Sequence, residues 1–262
     1  MKTIPIYNYI YFGTCIRFLK DCHVEMPLKK DGYIIDNLKS LFKYLDDLNL
    51  KVTQRTRAKI ELEEIYEKFK KKDKDYKLDN DDAEKLSNTM IDLWKTIEAE
   101  TEVIYVYEVL EKRFDIDKLL NRVNELFSPN TFFKLPKIAM IDFIESGKCI
   151  AFELPTASAF HSLRGTESVL RALYFSVKKR NRIKNLVWGE IIKDLEKCKT
   201  RKPPKNLIDT LDNIRINYRN PTQHPEYIYN IELAQDLFSL CISVVNITID
   251  FLEKYKIDII FQ

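Results

Sequence analysis

Eight residues, Arg219-Asn220-Pro221-Thr222-Gln223-His224-Pro225-Glu226, combine a permanent cation with one of only three histidines in the chain. A guanidinium that never loses its charge and an imidazole that titrates near neutrality suit the handling of a phosphate and the movement of a proton. In RNA the 2′-hydroxyl can attack the adjacent phosphorus once a base removes its proton. His224 is the candidate for that transfer, or for protonating the leaving oxygen. Arg219 would neutralise the charge growing on the phosphorane oxygens, and Asn220 could hold the phosphate or stabilise the loop. The bare Arg-to-His spacing is a weak signal, so the surroundings must narrow it.

Those surroundings are helical. Leu207, Leu211, Ile214 and Tyr218 share one face of a helix over residues 206–218, which Pro221 is expected to end by biasing Asn220 away from helical angles. Asn230 is a good N-cap for a final helix, 231–255, whose apolar positions wrap most of its surface. Upstream, residues 156–178 read as a helix with Phe160, Leu163, Leu170, Leu173, Tyr174 and Val177 inward, and Glu167 falls in line with them. A carboxylate on an apolar face needs a partner. Either Glu167 orients Arg219, or it pairs with Arg164 or Arg171 on its own helix. His161 and Arg164 could line the same cleft, though a structural role suits both.

Between these helices, residues 178–205 hold eleven bases against three acids, net +8 in a chain of net +3. Lys178, Lys179, Arg180, Arg182 and Lys184 are the first of them, and such a concentration is what a nucleic-acid backbone requires. A solvated surface loop is the plainer reading of the same charge run.

Arg219-Asn220-x-x-x-His224, set before the last long helix of an all-α region, resembles the Arg-polar-x(3 to 5)-His motif of the HEPN superfamily. The run FELPTASAFHSLRGTESVLRAL from Phe152, followed by YRNPTQHPE, is similar to bacterial HEPN proteins over roughly residues 138–255. The resemblance implies a helical bundle that dimerises so that two motifs share a cleft, often as a metal-independent endoribonuclease. Members serve as toxins of toxin–antitoxin pairs or in abortive infection and other antiviral systems, and some are non-catalytic binding and assembly modules. It thus implies RNA and a second copy as partners, an antitoxin or defence protein besides, and no cofactor. One branch carries a tyrosine two residues after the histidine as a site of adenylylation; here that position is Glu226 and the tyrosine is Tyr227.

The rest of the chain bounds this reading. Hydrophobic residues at 45% and charged residues at 32% describe a globular, water-soluble chain rather than a disordered one. Five scattered cysteines, odd in number and partly in apolar patterns, suggest reduced thiols in a cytoplasm. No CxxC or HExxH spacing occurs, so no metal is expected. The apolar stretch 237–252 is shorter than the ~20 residues of a membrane span and contains Asn246 and Asp250, as a core helix would.

The expected fold is mainly α, with an N-terminal helical region at 1–135 and a HEPN-like domain at 136–262. Residues 4–12 could be a strand or the start of a buried helix. Residues 101–109 alternate Val103, Tyr105, Tyr107 and Val109 against Glu102 and Glu108, which predicts a strand. Helices are expected near 33–48, 53–72, 83–99, 117–127 and 138–152, with Pro155 stopping or kinking the last. Asp79 to Asp82 read as a helix cap rather than a calcium loop, since the EF-hand glycine and glutamate are missing.

Overall fold

The computed structural model describes residues 4–224 and 226–260 and is mainly helical, with no strand among them. The chain forms two compact units that divide between Tyr107 and Glu108.

In the first unit, α1 (Ile6–Lys20) packs on α2 (Ile34–Asp47) and α4 (Asn80–Thr101), while α3 (Arg57–Lys70) packs on α4. Leu19, Leu38, Leu41, Leu45, Leu62 and Leu86 are fully buried at their centre. Thr56 separates a 3₁₀ turn, Thr53–Arg55, from α3 and caps it by accepting from the Lys59 N–H at 3.3 Å. Asp79 caps α4 in the same way, accepting from the Asp82 N–H at 2.8 Å, as its place before the helix predicts. Asp82 is buried and takes Lys68 at 2.5 Å and the Tyr76 hydroxyl at 2.9 Å.

No expected strand forms among the described residues. Residues 4–12 take the helical of their two readings and open α1, where Phe12 is buried while Ile6, Tyr7 and Ile10 stay exposed. Residues 104–112 run without helix or ladder, and Tyr105 and Tyr107 are more than 80% exposed. The alternation is present in the sequence, but a strand needs a neighbour for its N–H and C=O groups, and none is supplied. The β pairing among the described residues is one antiparallel bridge, Pro27 to Lys77.

The second unit begins well before the expected boundary at 135. Leu119 of α5 (Ile116–Asn121) and, after it, Val123, Phe127 and Phe132 are buried in the same core as Phe143 and Phe238, so 108–135 belongs with the C-terminal helices. Then come α6 (Lys137–Ala151), α7 (Pro155–Lys178), α8 (Trp188–Glu196) and α9 (Lys205–Ile214). Pro155 starts α7 instead of bending α6, because at the first helical position its missing N–H has no partner to lose.

The α6–α7 seam is made by small residues. The Ser146 hydroxyl bonds to those of Ser158 and Ser162 at 2.8 and 2.7 Å, and a Cβ on Gly165 would stand 3.2 Å from that of Asp142. Gly147 is tolerated mid-helix for a like reason, since a Cβ there would lie 2.8 Å from the Leu119 carbonyl. This seam turns Phe160, expected inward, out to 49% exposure.

The last helix, α11 (Ile231–Lys254), is the one helix among the described residues long and apolar enough to cross a membrane by length and composition; 61% of its apolar window is buried inside the unit. It packs on α6, α7 and α9, and buries Phe238, Cys241 and Val245. Asn230 caps it through the Leu233 N–H at 2.8 Å.

Candidate functional site

Beyond α9 the helix does not stop at the motif. It widens into a π turn, Arg215–Arg219, in which the Asn220 N–H reaches the Arg215 carbonyl, and it closes with the short α10 (Asn220–Thr222). Asn220 keeps helical angles, φ −66° and ψ −48°, against the expectation that Pro221 would expel it. A proline inside a helix offers no N–H and crowds the carbonyl four residues back; a turn with one extra residue relieves both problems upstream.

The far side of the motif is pinned by a buried phenol. Thr222 Oγ1 donates to the Tyr218 carbonyl at 2.5 Å and lies 2.7 Å from the Tyr229 hydroxyl. Burial pushes the Tyr229 hydroxyl up to about 12, so it remains a neutral group holding the loop. Tyr229 packs edge-on against Tyr227, at 5.1 Å between centroids, not against the histidine. The exposed His224 side chain makes no hydrogen bond to a described residue, while its backbone is held by Pro221 and Tyr227.

Arg219 and His224 line two different hollows, both bordered by Asn220. One hollow of about 340 Å³ is walled by Ile216, Asn220, Pro221, His224 and Tyr227. Another, of about 300 Å³, is walled by Val187, Lys193, Arg215, Arg219 and Asn220. Within one chain the two candidate groups therefore do not share a hollow, although Asn220 borders both.

Glu167, 20% exposed, answers its sequence anomaly with two of the three partners weighed for it. Its Oε1 accepts from Arg171 Nη2 at 2.7 Å, one turn along α7, and its Oε2 lies 3.8 Å from Arg219 Nη2. Arg164 goes elsewhere. Its Nε and Nη2 donate to the two oxygens of Asp142 at 2.8 and 2.6 Å, and His161 Nδ1 lies 2.9 Å from Asp142 Oδ1. The bond to Asp142 raises the Arg164 pKa further above its ordinary value. His161 and Arg164 thus satisfy a fully buried carboxylate across the α6–α7 seam. Asp142 was not singled out in the sequence, yet it sits among Ala139, Phe143 and Ser146 on the buried face of α6, the same signal that marks Glu167.

Of the basic candidates, Lys178 is the enclosed one. Its amine is 10% exposed and bound to the Asp194 carboxylate at 2.9 Å and the Asp194 carbonyl at 2.8 Å. Burial pulls its pKa down, but those bonds outweigh it and leave the amine charged. Lys179, Arg180, Arg182 and Lys184 are exposed, and none forms an ion pair with a described residue. Lys179 ends α7 in the left-handed conformation, φ 65°, and the loop is tethered where the Arg182 N–H donates to the buried Tyr174 hydroxyl at 2.9 Å.

No cluster of metal-binding side chains occurs among the described residues, and all five cysteines are free thiols. Burial raises the Cys15 and Cys22 thiols to about 11 and that of Cys241 to about 12. No protein family, curated protein or solved structure matches the chain.

Proposed function

We propose that the chain is an endoribonuclease of the HEPN type, acting in antiviral defence or as a toxin, in which Arg219, Asn220 and His224 work on the RNA backbone. The observation that carries this reading is the exposed His224, without a hydrogen-bond partner among the described residues, five residues from an Arg219 whose guanidinium lies 3.8 Å from Glu167. A carboxylate at that distance attracts the guanidinium without occupying its N–H groups, which leaves them for a phosphate. The uncompensated cations Lys179, Arg180, Arg182 and Lys184 supply the sequence-independent attraction a nucleic acid requires.

The chemistry needs no cofactor. A base takes the 2′-hydroxyl proton, the oxygen attacks phosphorus, the 5′-oxygen leaves with a proton, and a 2′,3′-cyclic phosphate remains. Because Arg219 and His224 line different hollows, the site is best completed by a second copy whose His224 meets the first chain's Arg219. An antitoxin or defence protein that covers this face would regulate it.

Digestion of RNA with chelator present should yield cyclic-phosphate ends. A non-catalytic module for RNA or nucleotide binding and assembly is favoured by one observation, that the two groups line different hollows within a chain. That alternative predicts intact RNA and binding that weakens steeply with salt.

A further inference from the structure

The segment that leaves α4 is composed like a strand and has no strand beside it. Six of the seven residues from Val103 to Val109 are β-branched or aromatic, and neither glycine nor proline interrupts residues 102–112. Ile104 donates its N–H to the Thr101 carbonyl at 3.1 Å in the turn that closes α4, and the Arg113 N–H donates to Gln235 Oε1 at 2.9 Å. Between these two anchors the N–H and C=O groups of residues 105–109 make no hydrogen bond to a described residue. Ile104, Tyr105, Val106, Tyr107 and Leu110 are exposed, while Val109 rests partly on the core of the second unit. Folded proteins rarely leave a run this apolar on an open backbone, because it is a template for pairing with another chain.

We infer that residues 104–110 form an interface with the same residues of a second copy, as an antiparallel two-stranded ribbon centred on Tyr107. Charge selects this occupant and this register. A parallel pair in register would set Glu108 against Glu108 and Glu111 against Glu111. An antiparallel pair centred on Tyr105 would set Glu102 against Glu108, and one centred on Glu108 would set that residue against itself. Like charges directly opposite one another destabilise a ladder. Centred on Tyr107, the pairs are Tyr107 with its own counterpart, Tyr105 with Val109, Ile104 with Leu110, and Val106 with Glu108, so no acid meets an acid. A centre at Val106 also keeps the acids apart, but its outer pairs need Glu102 and Val103, which are held in the turn after α4.

Alternation gives the ribbon two unlike faces. Tyr105, Tyr107 and Val109 share one, so six apolar side chains line up across the two strands, and Glu108 lies on the other. A lone two-stranded ribbon is marginal in water, so the contact forms reversibly and grows with concentration. It uses no residue of the Arg219-to-His224 motif and does not rest on that motif being catalytic.

The test is disulfide cross-linking of full chains carrying one added cysteine, read on non-reducing gels against the parent as background for its own thiols. Tyr107→Cys should link to a second copy of itself under mild oxidation. Ile104→Cys and Leu110→Cys chains should each link poorly alone and readily when mixed. In the parent, amide exchange over residues 104–110 should slow as concentration rises. Tyr107→Glu, at an 84% exposed position, sets acid against acid; it should weaken pairing about fivefold and move that slowing to higher concentration, with thermal unfolding unchanged.

If Ile104→Cys or Leu110→Cys chains link to themselves as efficiently as the mixture does, the register fails and the inference with it. Amide exchange over 104–110 that ignores concentration overturns it as well, and so does growth into large assemblies instead of dimers. A dimer that cleaves RNA although its Tyr107→Cys chains fail to link would sink this contact and leave the proposed function standing. Linked dimers without cleavage would do the reverse.

Discussion

Helix α3 and the loop 179–184 are both rich in cations, but they hold them differently. Along α3 the bases alternate with acids one turn away, Arg57 with Glu61 at 2.8 Å and Lys59 with Glu63, so the charge closes on itself. Lys68 continues the pattern by reaching the buried Asp82. In the loop of the second unit, Lys179, Arg180, Arg182 and Lys184 stand together with no acid among them, on a backbone fixed by Tyr174. The same residue types make a self-neutralised helix face in one place and an open field in the other. Composition cannot separate the two cases, whereas the spacing of the acids can.

The largest test of that contrast is at the motif. His224→Ala and Arg219→Ala should each lower RNA cleavage by roughly 10² to 10⁴-fold with unfolding unchanged, while Arg57→Ala and Lys59→Ala leave it intact. Equal rates in all four would erase the distinction. Next is Arg164→Ala, which leaves the buried Asp142 with His161 alone and should cost about 3 kcal/mol in a urea titration.

Smaller effects belong to the first unit. Glu100 accepts from the Val52 and Thr53 N–H groups at 2.9 and 2.8 Å. Burial works to raise its pKa, but these bonds outweigh burial and hold it below its ordinary value. Because the folded pKa lies below the unfolded one, the stabilisation is full above the unfolded value and is lost as pH falls through the folded one. Glu100→Gln should therefore cost about 1 kcal/mol at neutral pH, with the gap closing in acid. A gap independent of pH would show that charge is not what Glu100 contributes.

The smallest expected change in stability is for neutralising Arg182 or Lys184, within about 0.5 kcal/mol. Each should still flatten the salt dependence of single-stranded RNA binding by about 0.7 in logarithmic slope. An unchanged slope would make the loop an ordinary solvated surface.

The helices were legible because their apolar positions repeat at three and four, and Asp79 and Asn230 marked two starts. Glu167 announced itself as an acid on an apolar face, and its two partners were among those its position allowed. The misses share a physical cause, since each depended on a neighbour distant in sequence. Tyr105 and Tyr107 alternate as a strand would but meet no second strand. Lys178 reads as one more cation of a basic run until Asp194, from α8, encloses it. Phe160 looked inward because a stripe of large residues marks most buried faces, while α7 meets α6 through serines and glycine. The sequence groups residues 108–135 with the N-terminal region, whereas Phe127 packs on Phe143.

The π turn at Arg215–Arg219 has a consequence for how this segment tolerates change in length. A π turn is an α-helix carrying one surplus residue, so deleting Asn217 would let the ladder close in α register without losing a turn. Because the wide turn takes up its extra residue in place, the deletion would leave Arg219 and Asn220 at nearly the same angle relative to α9, and would bring Pro221 back against the carbonyl four residues before it. Composition and hydrophobic pattern would barely register the change. The extra residue serves the proline rather than the direction in which Arg219 points.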